Sequence, residues 1–124
     1  MTEKQEKIMY FTTHGGEEPE KASIPFVMAN AALAMDIHAT IVMQENSVYL
    51  VKEEYRKTVL ATGEFPHITK LMDDFLALGG ELLVCVPCIK SRNIDESELP
   101  EEARTTAAGR LNVAAIEADA VFTY

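Results

Sequence analysis

Two cysteines in 124 residues are too few for the disulfide framework on which small secreted domains rely. A chain this long buries roughly two thirds of its unfolded surface, and it folds as one domain without a covalent or metal staple. The thiols therefore matter for their chemistry. Positive charge is also scarce: 11 basic residues face 20 acidic ones, a net charge of -9. Phosphate contacts need a basic face, so DNA, RNA and anionic membranes are poor partners; only a small basic pocket fits this balance. Long apolar runs are missing. The most apolar stretch, residues 22–35, is interrupted by Ser23, Pro25 and Asn30 and falls short of the ~20 residues a bilayer requires. The first seven residues, MTEKQEK, lack the basic-then-apolar order of a secretory signal, so a cytoplasmic location with reduced thiols is expected. No repeat or low-complexity tract occurs. Neither does G-x-G-x-x-G or G-K-[ST], which speaks against nucleotide binding. The histidines at 14, 38 and 67 form no H-x(3–5)-H pair, so a structural zinc built from them and the cysteines is disfavoured.

What is present reads as alternating strands and helices. Residues 1–6 form a flexible tail and residues 7–124 a single α/β domain. Residues 8–13, IMYFTT, are apolar, aromatic and β-branched and end at His14, Gly15 and Gly16, a strand entering a turn. A helix follows to about Met35. Pro25 interrupts it: either the helix starts at Pro19 and carries a local irregularity, which we favour, or it starts with Ser23 as its cap. It is apolar nearly all round, so part of its surface is expected to face another subunit. Residues 38–43, HATIVM, are a second strand. Residues 47–56 are ambiguous, with helical spacing of Val48, Val51 and Tyr55, and residues 58–66 read as loop. Ile68, Leu71, Met72, Phe75 and Leu76 give the clearest helical period, stopped by Gly79 and Gly80. Residues 81–86, ELLVCV, read as a strand buried on both faces. A surface loop with a short helix over 95–104, a short strand over 105–108, a helix over 111–118 and a terminal strand over 120–124 complete the chain. The order predicts a three-layer sandwich: a mainly parallel sheet of about five strands with helices on both faces. Right-handed crossovers gather the C-terminal strand ends at one edge, where such sheets bind ligands. His14, Glu45 and the cysteine segment are therefore expected as neighbours there.

Cys85-Val-Pro-Cys88 leads the chemistry. A sulfur nucleophile must be a thiolate, and a strand end leading into a helix start supplies free N–H groups for the anion. Lys90 and Arg92 add positive charge just downstream. The bland alternative is a pair of small core residues, since free cysteine is among the most buried types. C-x-x-C spacing also suits a redox disulfide. His14 is placed to orient or deprotonate a thiol, or is a solvated turn histidine. Glu45 is an acid near the site or an ordinary surface glutamate. His38 and His67, at the other edge, receive no role. The six methionines read as core filling, and the acids over 95–102 as a solvated face.

Residues 82–94, LLVCVPCIKSRNI, resemble the cysteine signature of the DsrE/DsrF-like (YchN-like) family: a strand ending in a reactive cysteine, a short helix, then Arg-Gly-aliphatic. The resemblance extends from Ile8 to Tyr124, although only the cysteine segment is specific. It implies a small α/β fold that assembles as dimers, trimers or hexamers, and relay of sulfur as a cysteine persulfide. Its cysteine corresponds to Cys85; Cys88 is additional, and both stay candidates for the nucleophile. Asn93 stands where the family commonly has Gly, and Asn tolerates the left-handed region better than most residues. The resulting expectation is a sulfur carrier or sulfurtransferase. Cys85 and Cys88, with His14, do the chemistry, and Lys90, Arg92 and Glu45 contact the sulfur compound. No metal or organic cofactor is implied. The partners are sulfur donor and acceptor proteins or small sulfur compounds. A thiol-disulfide redox protein and a non-enzymatic oligomeric binding module are the rival readings.

Overall fold

The computed structural model describes residues 4–124. Of the expected tail, residues 1–3 lie outside the described residues, and the Glu6 carbonyl already accepts from the His38 N–H at 2.9 Å. Five strands form one sheet: β1 (Lys7–Thr12), β2 (His38–Met43), β3 (Glu81–Cys85), β4 (Arg104–Thr106) and β5 (Ala120–Thr123). Their order is β4-β3-β2-β1-β5, and every pairing is parallel. The helices are α1 (Pro19–Ala34), α2 (Glu53–Arg56), α3 (Ile68–Ala77), α4 (Val86–Ser91) and α5 (Ala108–Glu117). The ambiguous segment after β2 is a 3-10 helix, Glu45–Val51, continued by α2.

Side-chain alternation divides the core. Tyr10, Ile41, Met43, Leu82 and Val84 point to the face covered by α1 and α3. Met9 and Val42 point to the opposite face and pack with Leu111 of α5. The layers are helices, sheet and helix, as the element order implied.

Helix α1 starts at Pro19 and runs through Pro25 without breaking. Its apolar surplus is largely used inside the chain. Phe26 meets Phe75 of α3 edge to face at 5.6 Å, and the Asn30 amide donates to the Leu71 carbonyl. Met28 and Met35 stay exposed. The strand edges shift by one residue in several places, and two differences from the sequence reading bear on the site. The fourth strand is Arg104–Thr106 rather than 105–108, because these three residues pair with Leu83, Val84 and Cys85. Helix α5 therefore begins at Ala108, three residues before the expected Leu111.

Helices α1, α3 and α4 end alike. The N–H two residues past each cap bonds back to a carbonyl five residues earlier: Ile37 to Ala32, Gly80 to Phe75, and Ile94 to Ile89. This closure needs a left-handed residue, supplied by Asp36 (φ 62°), Gly79 (φ 87°) and Asn93 (φ 55°). Asn93 thus takes the backbone role expected of glycine at that position.

Candidate functional site

The parallel order brings the C-terminal ends of β3, β2 and β1 side by side, carrying Cys85, Glu45 and His14 respectively. Cys85 ends β3 and caps α4, and Cys88 lies in the first turn of that helix. Both thiols are free and half-buried. The Cys85 and Cys88 thiols share a hydrogen bond, their sulfurs 2.8 Å apart. The Glu45 N–H donates to the Cys88 sulfur at 3.3 Å. Glu45 can do so because its backbone sits in the left-handed region, φ 49°. That conformation is costly for a residue with a Cβ and persists only where its surroundings hold it.

Arg92 ties the next residue, Asn46, to α4. Its Nε and Nη2 donate to the Asn46 side-chain oxygen at 3.2 and 3.1 Å, and its Nη1 donates to the Cys88 carbonyl at 3.2 Å. The guanidinium also lies 5.8 Å from the centre of the Tyr49 ring. Tyr49 stacks on Tyr55, whose hydroxyl accepts from the Gly16 N–H at 2.7 Å. A Cβ on Gly15 would meet the Asn46 carbonyl oxygen at 2.6 Å and the Tyr55 hydroxyl at 2.8 Å. The loop after β1, the 3-10 helix after β2 and α4 therefore form one unit around the cysteines. Ser47, fully buried, joins the ends of β1 and β2 by donating to the Thr12 and Gln44 carbonyls.

Burial pushes the Cys85 thiol up, and the Cys88 thiol hydrogen bond adds to that; the Cys88 backbone N–H and the Arg92 charge pull downward without prevailing. The strand end was expected to favour the thiolate. Here desolvation outweighs it, so Cys85 rests as a thiol near neutrality.

The remaining candidates spread out along the edge. His14 follows β1 one strand further on; its Nδ1 is 3.3 Å from the Thr13 hydroxyl, and no hydrogen bond joins it to either cysteine among the described residues. The Glu45 backbone, not its exposed carboxylate, touches the site. Lys90 lies on the exposed side of α4, bordering a shallow cleft with Asp95 and Glu96. Arg92 is the cation that acts on Cys85. His38 and His67 lie elsewhere: His38 starts β2 against Glu81, and His67 caps α3 by accepting from the Thr69 N–H. Among the described residues no group of three or more His, Cys, Asp or Glu side chains is gathered for a metal. Sequence reasoning missed Asn46, Tyr49 and Tyr55. Tyr49 and Tyr55 lie in the ambiguous segment and Asn46 just before it, and no short motif marks them.

A five-stranded parallel sheet with a C-x-x-C pair at the C-terminal ends of its strands defines a small α/β thiol protein. The family model described as DsrE/DsrF-like matches residues 6–124, and the chain belongs to that family. It is 32% identical over 119 residues to an uncharacterized protein, MJ0989, of Methanocaldococcus jannaschii, covering 94% of this chain and 100% of that one. A second uncharacterized protein of that organism, MJ0760, is 30% identical over 99 residues; the match spans 79% of this chain and 35% of that protein's length. Among solved structures, the ychN protein of E. coli superposes with a TM-score of 0.70 at 14% identity, over 98% of this chain and 100% of that one. MTH1491 of Methanobacterium thermoautotrophicum, described as of unknown function, gives 0.67 at 9% identity, over 98% and 100%. These superpositions bear on the fold alone.

Proposed function

We propose that this chain is a cysteine-based sulfur carrier or sulfurtransferase in which Cys85 holds the persulfide. The family is associated generally with sulfur relay. The observation that carries the reading is the contact of two free thiols at the C-terminal sheet edge, with backbone N–H groups facing both sulfurs. In loading, the Cys85 thiolate attacks the terminal sulfur of a donor persulfide R–S–SH. A new S–S bond forms, the donor S–S bond breaks, and R–S⁻ leaves with the electron pair. An acceptor thiolate then attacks the outer sulfur and regenerates the Cys85 thiolate. Alternatively, the Cys88 thiolate attacks the Cys85 sulfur, expels HS⁻ and closes a Cys85–Cys88 disulfide, which an external thiol must reduce. Arg92 favours the anionic states and keeps Cys88 in place through its carbonyl.

The sulfur–sulfur contact also favours a second reading, a thiol-disulfide redox protein cycling the same pair. The products separate the two. Intact mass of the folded Cys88→Ser variant after incubation with a polysulfide gains one sulfur atom if the chain is a carrier, because no second thiol can expel it. The variant gains no sulfur, while the wild type loses two hydrogens, if the chain is only a redox protein. Native thiols that resist both polysulfide and alkylation would remove both readings.

A further inference from the structure

Beside Cys85, on the same face of the sheet, an open cleft of about 440 Å³ lies where β4 turns into α5. Val86, Thr105, Thr106, Ala107, Gly109 and Arg110 line it. Register fixes the relation to the thiol. Thr106 pairs with Cys85 across parallel strands, so their side chains share a face, with the strands about 4.8 Å apart.

Four features make this cleft suited to an anion. Helix α5 opens on Ala107, which offers no side-chain cap. Its first intrahelical bond is from Leu111 to Ala107, so the N–H groups of Ala108, Gly109 and Arg110 have no backbone partner. Thr106 is 6% exposed, and its hydroxyl makes no hydrogen bond to the described residues although the side chain lines the cleft. The side chain is buried while its hydroxyl stays reachable and free to donate to a group seated in the cleft. Arg110 is the one charged residue among those lining the cleft, and it makes no salt bridge among the described residues. Arg110 also borders the next cleft along the face, beside Glu81. In a chain of net charge -9, an unpaired cation converging with open helix N–H groups and a free hydroxyl is a local reversal of sign.

We propose that the β4–α5 turn is a binding subsite for the anionic group of the small thiol or persulfide that exchanges sulfur with Cys85. The role rests on the persulfide reading above; the existence of the site does not. The subsite holds a carboxylate, phosphate or sulfonate while the sulfur end of the same molecule reaches Cys85. A donor lacking the charged group would load Cys85 without this help.

The test has two arms. Sodium sulfate, sodium phosphate and sodium acetate are titrated separately at constant ionic strength, with sodium chloride as control, while amide spectra are recorded. Saturable shifts of Ala108, Gly109 and Arg110 are expected, and the ranking of the three anions identifies the group preferred. Affinity should fall about tenfold in Arg110→Gln and severalfold in Thr106→Val, with the spectra reporting that both variants fold. No saturable shift, or equal affinity in both variants, overturns the subsite. In the second arm Cys85 is loaded by two organic persulfides of equal size, one ending in a carboxylate and one in an amide. Arg110→Gln should slow the first about tenfold and leave the second unchanged; equal effects overturn the assignment. Loading by neither compound, with oxyanion binding intact, would overturn the persulfide reading and the ligand's role, while the anion site itself stands.

Discussion

Replacing Gly15 with alanine tests whether the loops around the cysteines are one unit. The added methyl carbon would lie 2.6 Å from the Asn46 carbonyl oxygen and 2.8 Å from the Tyr55 hydroxyl. Ordinary contact distances are near 3.5 Å, and one of the two opposing atoms is backbone, so a side-chain rotation alone does not relieve the overlap. Overpacking of this kind costs about 1–3 kcal/mol. For a domain of this size that lowers Tm by about 4–12 °C. Any shift of Asn46 also loosens Arg92 and the neighbouring Glu45 N–H on Cys88, so native alkylation of the thiols should change together with Tm. Gly109→Ala is the control. A Cβ there meets nothing within 4 Å, and alanine is the better helix former by ~1 kcal/mol, so Tm should hold or rise. Thermal unfolding and timed alkylation of the folded protein measure both effects. A Gly15→Ala protein that melts with wild type and alkylates at the same rate would refute the coupling.

Removing the Cys88 thiol takes away two of the influences that raise Cys85, so the pH inflection of Cys85 alkylation should move down in Cys88→Ala; Arg92→Gln, by deleting a lowering influence, should move it up. Because the folded thiol sits above its unfolded value, its contribution to stability is full below the ordinary thiol range and disappears as pH rises through the folded value. Chemical denaturation across alkaline pH should therefore show a loss that the Cys85→Ser variant lacks. Tyr55→Phe removes the acceptor for the Gly16 N–H and should cost ~1 kcal/mol, seen as a lower urea midpoint at unchanged slope. Asp36→Gly relieves a left-handed carbon-bearing residue at the end of α1 and should raise Tm, whereas Gly79→Ala at the matching position of α3 should lower it.

The architecture was readable because its signals are local and repeated. The apolar run of β3, the helical period from Ile68 to Leu76 and the glycines that stop it each speak for themselves. Once five strands alternate with helices, parallel pairing and a shared C-terminal edge follow from chain chirality. That reasoning alone brings Glu45 and the cysteines to one edge. It did not reach the details that decide their chemistry. The downward influence expected on Cys85 came from charge and helix direction, which are visible in sequence. The larger opposing influence is burial, a property of packing. Arg92 was singled out as a charge, yet its partners Asn46 and Tyr49 lie over forty positions away in a segment with no clear period. Glu45 was named for its carboxylate and acts through its backbone. The role of Thr106 depends on the pairing register of a strand whose start pattern reading placed one residue late. The cysteine signature was the exception: thirteen contiguous residues carried the family, which the match over residues 6–124 establishes.

The measurement that tests the central claim most directly is the intact mass of the folded Cys85→Ser and Cys88→Ser variants after exposure to a polysulfide. The account predicts no sulfur on Cys85→Ser. On Cys88→Ser it predicts one added sulfur that accumulates, because the thiol able to expel it is gone. Sulfur carried by Cys85→Ser, or no sulfur on Cys88→Ser, would contradict the assignment of the persulfide to Cys85.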